Sequence, residues 1–263
     1  TNVIGSVTFT NTYKPFYTGT EIKPSKADLG KIVIHNVASG NNPDETLKDD
    51  EWEITGYSNN INASKYDANG KATTFGYVEI KVKGDSSYAN QTYKVPFEIQ
   101  PLLVTGDTIT VPKTISYNKG YSSTDASDYK VPVVVVAKDA TGKIVKTLTA
   151  DDYTVKYEYV NANKKNGATN EIGDKIQATV TIKNDNYKGF TTVKDNNGQN
   201  KTVQNVKVPA TNATEITAKA LADSMIKVEP SSYTYTGGNI IPEFYVVDGA
   251  IILNEGKASN NDK

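Results

Sequence analysis

The sequence predicts an all-β protein made of β-sandwich modules set end to end. Three observations carry that prediction. Many segments alternate apolar and polar residues with a period of two, as in Tyr77-Val78-Glu79-Ile80-Lys81-Val82-Lys83, which is the pattern of a strand with one face on a core. A turn cassette occurs twice: Tyr17-Thr18-Gly19-Thr20-Glu21-Ile22-Lys23-Pro24 and Tyr235-Thr236-Gly237-Gly238-Asn239-Ile240-Ile241-Pro242 share Tyr, Thr, Gly, Ile and Pro at equal offsets. Other features recur about one hundred residues apart, Leu47 with Leu148 and Tyr88 with Tyr187. That distance suits a sandwich of about seven strands and is too long for a solenoid repeat.

Composition narrows the class. The chain has 263 residues and a formal net charge of −1, so it lacks the basic excess by which proteins displace counterions from nucleic acid. The same balance argues against an anionic membrane as main partner. It contains no cysteine, hence neither disulfides nor a thiolate metal site. No apolar run approaches the ~20 residues of a transmembrane segment. Tyrosine outnumbers phenylalanine 17 to 6, and tyrosine suits thin sheets with one face near water. No arginine is present, so every basic side chain is lysine. Thr1 and Lys263 read as cuts inside a longer protein.

The first module is expected over residues 1–101. Ser6–Thr10 alternates as a half-buried strand, the cassette follows at Tyr17, and Lys31–Val37 is a second strand. Ala38–Lys48 is a polar loop by its Gly, Asn and Pro content. Glu51–Thr55 places Trp52 and Ile54 on one face. Asn69-Gly70 is a strong turn pair before the Tyr77 strand, and Tyr93–Ile99 closes the module.

The second module is expected over 102–210. It opens with alternating Thr108–Val111. Ser116–Gly120 stands where the cassette belongs, without its Thr-Gly. Val131–Val136 is an apolar β-branched run, the pattern of a strand covered on both faces. Asp139–Lys143 is a hairpin turn. Leu148, Tyr153 and Val155 repeat the spacing of Leu47, Trp52 and Ile54, and Asn184–Tyr187 parallels Gly84–Tyr88. A loop at Asp195–Gly198 precedes the last strand. The third stretch, 211–263, reads as the front half of another module. Ala218–Met225 has helix-like composition but no cap, which favours a linker or an irregular strand. The cassette at Tyr235, a strand from Glu243, a turn at Asp248-Gly249 and the Ile251–Leu253 strand follow, before a polar tail at Ala258–Lys263.

The order of these features resembles the bacterial immunoglobulin-like tandem repeats of large Gram-positive secreted and cell-wall-attached proteins. The features are Tyr-Thr-Gly, an apolar residue with Pro, a Leu before an acidic pair, an aromatic-x-aliphatic strand, an alternating strand, then Asp-x-x-Tyr or Asn-Tyr. The resemblance implies immunoglobulin-like β-sandwiches, an extracellular place on the bacterial surface, and no shared catalytic residues. It departs at Trp52, where Tyr is usual, and at the degenerate second cassette. It leaves three functions open: a stalk, spacer or adhesive module; a subunit of a surface lattice or filament of the S-layer kind; and a carbohydrate-binding ancillary region of a secreted enzyme. It also brings in the Lys–Asn isopeptide crosslink of some pilins and adhesins, for which no motif selects a pair.

Candidate sites are few. No phosphate loop, nucleophile elbow or metalloprotease motif is present, so no catalytic, cofactor-binding or metal-binding residue is assigned. His35 reads as a half-exposed strand residue. Asp49-Asp50-Glu51, Asp151-Asp152 and Asp195–Gly198 read first as turn residues, with calcium as the alternative cofactor. Tyr157 and Tyr159 share a strand face and form the candidate glycan contact, against the alternative that they pack a sandwich rim. The partners expected are a host or cell-wall glycan or protein, or a second copy bound through the incomplete third repeat.

Overall fold

A computed structural model describes residues 4–36, 44–84, 86–164 and 167–256. The Ala38–Pro43 part of the expected polar loop, Asp85 and the Ala258–Lys263 tail lie outside them. The described residues are mostly β-strand in several sheets, with almost no helix. They group into two compact units. The first comprises Thr1–Ile109, Val134–Thr154 and Val180–Val206; the second comprises Thr110–Val133, Val155–Thr179 and Lys207–Lys263.

In the first unit, two three-stranded antiparallel sheets enclose a sandwich-like core. One orders Ile4–Phe9, Ile32–Asn36 and Glu45–Thr46; the other orders Trp52–Ser58, Gly76–Val82 and Thr92–Phe97. Val7, Ile32 and Ile34 of one sheet join Trp52, Val78, Ile80, Val82, Val95 and Phe97 of the other in one buried cluster. The alternation read at Tyr77–Lys83 is realised directly: Val78, Ile80 and Val82 are buried, while Tyr77, Glu79 and Lys81 are partly exposed. Each fully buried aliphatic contributes about 1.5–3 kcal/mol.

The recurring Leu-before-acid segment is built the same way twice. Leu47 and Leu148 are buried. Their N–H groups donate to Ile32 O and Val135 O. The Glu51 carboxylate accepts from Lys48 N, and Asp152 accepts from Thr149 N. The carbonyls of Glu51 and Asp152 then accept from Lys83 N and Lys183 N. A short polar turn would leave N–H groups unsatisfied, and the acid three residues on takes one of them.

Three hairpin turns share one design as well. Asp67, Asp139 and Asp195 each accept at Oδ1 from the N–H groups two and four residues on. Gly70, Gly142 and Gly198 follow at φ 78°, 88° and 75°, a region that side-chain-bearing residues avoid.

A further sheet of the first unit runs in the order Ile144–Thr147, Val134–Lys138, Leu102–Val104, Tyr187–Gly189. The Val131–Val136 run is not covered on both faces. Its strand is Val134–Lys138, with Val135 and Ala137 at 0% exposure and Val134 at 53%. One face meets the core and the other meets solvent, so β-branching here reflects strand propensity.

The second unit carries most of the sheet ordered Tyr153–Val160, Lys175–Ile182, Thr214–Thr217, Thr114–Ser116. Thr114–Ser116 and Thr214–Thr217 pair in parallel. Ala126, Tyr129, Val131, Ile176 and Ile216 form its core. A separate three-stranded antiparallel sheet orders Ile226–Glu229, Glu243–Asp248 and Ile251–Gly256. Ala218–Met225 is irregular and ends in one 3-10 turn, Asp223–Met225, ahead of the first of these strands.

Two short helical turns were not legible as strands or loops. Lys26–Leu29 is capped by Ser25 and Asp28, each binding the other's backbone N–H. Ala126–Tyr129 is capped by Asp125.

Candidate functional site

The strand Tyr153–Val160 positions the two candidate tyrosines, and both are half-buried against the core of the second unit. The Tyr157 hydroxyl donates to Val131 O at 2.6 Å, and the Tyr159 hydroxyl donates to Ser122 O at 2.7 Å. Each ring therefore packs inward and fastens an adjoining loop by its polar tip. Tyr129 extends this into an aromatic group, edge-on to Tyr159 with centroids 6.4 Å apart and to Tyr121 with centroids 4.8 Å apart. Burial, then the neighbouring Tyr129, Asp128 and Asp125, pushes the Tyr159 hydroxyl pKa up to about 12. Tyr157 and Tyr159 do line a wide, open concavity of about 650 Å³ with Thr124, Asp125, Lys156 and Glu158. A ligand there would also meet the exposed Lys156–Glu158 pair, 3.1 Å apart.

Beside this strand sits a polar group that the sequence did not reveal. Asp174 has 0% exposure. Its carboxylate accepts from Asn161 Nδ2 at 2.7 Å, Thr169 N at 2.9 Å and Lys164 Nζ at 2.9 Å. Burial alone would raise this carboxyl's pKa, but the donors outweigh it and hold the group below the usual range. Lys164 also pairs with Glu171, and the two carboxylates push its pKa upward. Lys, Asn and a buried acid thus meet here, the set an isopeptide crosslink requires. The carboxylates hold the amine as ammonium, without the lone pair that attack on an amide needs. The group's evident work is to pin the loop between residues 161 and 174.

Three of the acidic candidates are engaged in turns. Glu51 and Asp152 cap their own segments, and Asp195 closes its hairpin. Among the described residues no group of three or more His, Asp or Glu side chains could hold a metal ion. Lys26 Nζ stacks 4.2 Å from the Trp52 ring centroid and donates to Asp49 O and Trp52 O, both at 2.5 Å, a cation–π contact on the sandwich rim.

His35 does more than the alternation suggested. Its Nδ1 lies 2.7 Å from Asp44 Oδ2 and its Nε2 lies 2.9 Å from the Thr8 hydroxyl. An acid–imidazole–hydroxyl line is the arrangement that activates a nucleophile. Here Thr8 and His35 stand on the sheet face opposite buried Val7 and Ile34, with Thr8 exposed, so the line is open to water.

A second concavity, about 770 Å³, lies within the first unit, lined by Phe16, Tyr66, Glu98, Asp185, Tyr187 and Lys188 among others. The Tyr66 hydroxyl donates to Glu98 at 2.6 Å, and burial first, then Glu98, raises its pKa. Nearby, Asn186 Oδ1 accepts from Ala63 N at 2.8 Å, and the Tyr17 and Tyr187 rings meet edge-on at 5.8 Å. The Asn184–Tyr187 segment singled out by recurrence is therefore a fastening.

No protein-family description, curated protein or solved structure matches the chain.

Proposed function

We propose that the chain is a non-enzymatic repeat region of a bacterial surface protein, serving as a stalk, spacer or adhesive module built of immunoglobulin-like β-sandwiches in tandem. The observation behind this reading is the recurrence of one local design: the buried Leu, the capping acid and the accepting carbonyl at Leu47–Trp52 return at Leu148–Tyr153. Loop polar groups support it too. Glu51, Asp67, Asp139, Asp152 and Asp195 accept from backbone N–H groups of their own turns, the arrangement expected where loops hold shape. A fold does not by itself imply an activity, so the reading rests on these repeats and on composition.

Two measurements test it. Antibodies raised against the chain should label intact cells of the source organism; labelling only after lysis would remove the surface assignment. Deleting residues 1–101 should leave the remainder with a cooperative unfolding transition. Loss of all folded structure would remove the modular reading.

A further inference from the structure

The concavity of about 770 Å³ in the first unit is lined by the outward residues of one extended segment. Phe97, Ile99, Leu102 and Val104 are buried, while Glu98, Gln100 and Leu103 are half-exposed. Successive side chains of an extended chain point to opposite faces, so the first set meets the core and the second lines the concavity. Strand pairing adds two side chains to it: Phe16 stands opposite Gln100 and Lys188 opposite Leu103, both in parallel register. The hairpin that follows Ser64 is fastened alongside. Ser64 Oγ accepts from Ile99 N at 3.0 Å, and Ser64 N donates to Ile99 O at 2.8 Å. This holds Tyr66 at the concavity, 37% exposed with its hydroxyl tied to Glu98. The lining is therefore formed before any ligand arrives, and its size falls within the range of small-molecule sites.

Several of its polar groups have bonding capacity left. Gln100 donates its amide to Lys14 O at 2.7 Å, and among the described residues nothing pairs with its amide oxygen or with the side chains of Lys188 and Gln204, which also line the concavity. Asp185 has only Lys65, 4.0 Å away and exposed. Donors and acceptors thus converge beside the rings of Phe16 and Tyr66. Lys65 and Lys188 are set against Asp67, Glu98 and Asp185, so the lining offers an anion no net positive field. We propose that this concavity binds a short neutral oligosaccharide. Sugar hydroxyls donate to the carboxylates of Glu98 and Asp185 and accept from the Lys188 ammonium and the Gln204 amide, while the apolar C–H face of a pyranose covers an aromatic ring. The Tyr157–Tyr159 concavity is less suited, because both hydroxyls there are spent on backbone carbonyls and Lys156 is paired with Glu158. The proposal goes beyond the reading above and does not depend on it: a stalk or spacer needs no sugar site.

The test applies the full chain to an array of neutral oligosaccharides of glucose, galactose, mannose and N-acetylglucosamine, beside sulfated and sialylated ones, with bound chain detected by antibody. The strongest hit is then titrated calorimetrically. The expected result is saturable binding to a neutral glycan that Lys188→Ala and Gln204→Ala each weaken by about tenfold, the loss of roughly one hydrogen bond. Tyr66→Ala should weaken it at least as much through the lost ring. Since Tyr66→Ala also frees Glu98, the two exposed positions, Lys188 and Gln204, keep the test independent of folding, and an unchanged thermal midpoint confirms it for each. Absence of binding to every neutral glycan on the array overturns the proposal and leaves the stalk reading standing. Binding confined to the sulfated or sialylated glycans overturns it, as does binding indifferent to Lys188→Ala, Gln204→Ala and Tyr66→Ala. Binding abolished instead by Lys156→Ala places the sugar in the Tyr157–Tyr159 concavity and overturns it too.

Discussion

Replacing Asp174 by alanine tests whether a buried carboxylate holds the 161–174 loop in place. The carboxylate has 0% exposure and takes hydrogen bonds from Asn161, Thr169 and Lys164. Its removal leaves the Asn161 amide and the Thr169 N–H without an acceptor, each costing about 1–3 kcal/mol. Lys164, with its side chain 32% exposed, can turn to water, so its loss adds little. The sum is a destabilisation of about 2–6 kcal/mol, read as a lower urea midpoint at neutral pH by circular dichroism. Asp174→Asn keeps one acceptor oxygen and should cost clearly less.

The pH dependence has a definite sign. A carboxyl whose pKa is lower folded than unfolded contributes stability above its unfolded value of about 4, and loses that contribution as pH falls through the folded value. The alanine variant should show a flatter acid limb. A cost under about 1 kcal/mol, or an acid limb equal to the parent's, would refute the reasoning.

Leu47→Ala and Leu148→Ala, both in buried and equivalent places, should each cost about 2–5 kcal/mol in chemical denaturation; a large cost at only one would break the equivalence. Gly142→Ala, at φ 88° with open space around the added carbon, should destabilise by about 1 kcal/mol from backbone strain alone. Asp139→Ala should cost a similar amount through its lost turn bonds, measured by thermal unfolding. Tyr159 and Tyr187 have hydroxyl pKa values raised to about 12, burial being the main cause. The folded chain therefore keeps protons that the unfolded chain releases near pH 10, and stability should fall between about pH 10 and 12. Tyr159→Phe and Tyr187→Phe together should blunt that fall.

Strand existence was the most legible layer, because a period of two is written into neighbouring residues. Val78, Ile80 and Val82 are buried as their spacing says, and Leu47 and Leu148 show that recurrence can find equivalent core positions. What stayed hidden depends on partners far apart in the chain. Nothing adjacent to Asp174 marks it as buried, since its donors come from positions 161, 164 and 169. The Lys26–Leu29 turn had a local sign, Ser25 three residues before Asp28, but one turn of helix is too short to show a period of its own. The Val131–Val136 run was read from its β-branching, which strands share whether one face is covered or two. For the candidate site, the sequence put Tyr157 and Tyr159 on one strand face. Their bonds to Val131 and Ser122 needed the fold to be seen.

Thr114–Ser116 and Thr214–Thr217 run side by side in the same direction, as do Leu102–Val104 and Tyr187–Gly189. Such pairs answer a pull differently from hairpins. Tension applied to the start of one strand and the end of its neighbour slides the two past each other, so their rungs share the load and fail together. A hairpin pulled at its open end peels one rung at a time. Under a pull applied in that direction, the two parallel ladders are the places where these sheets would resist most.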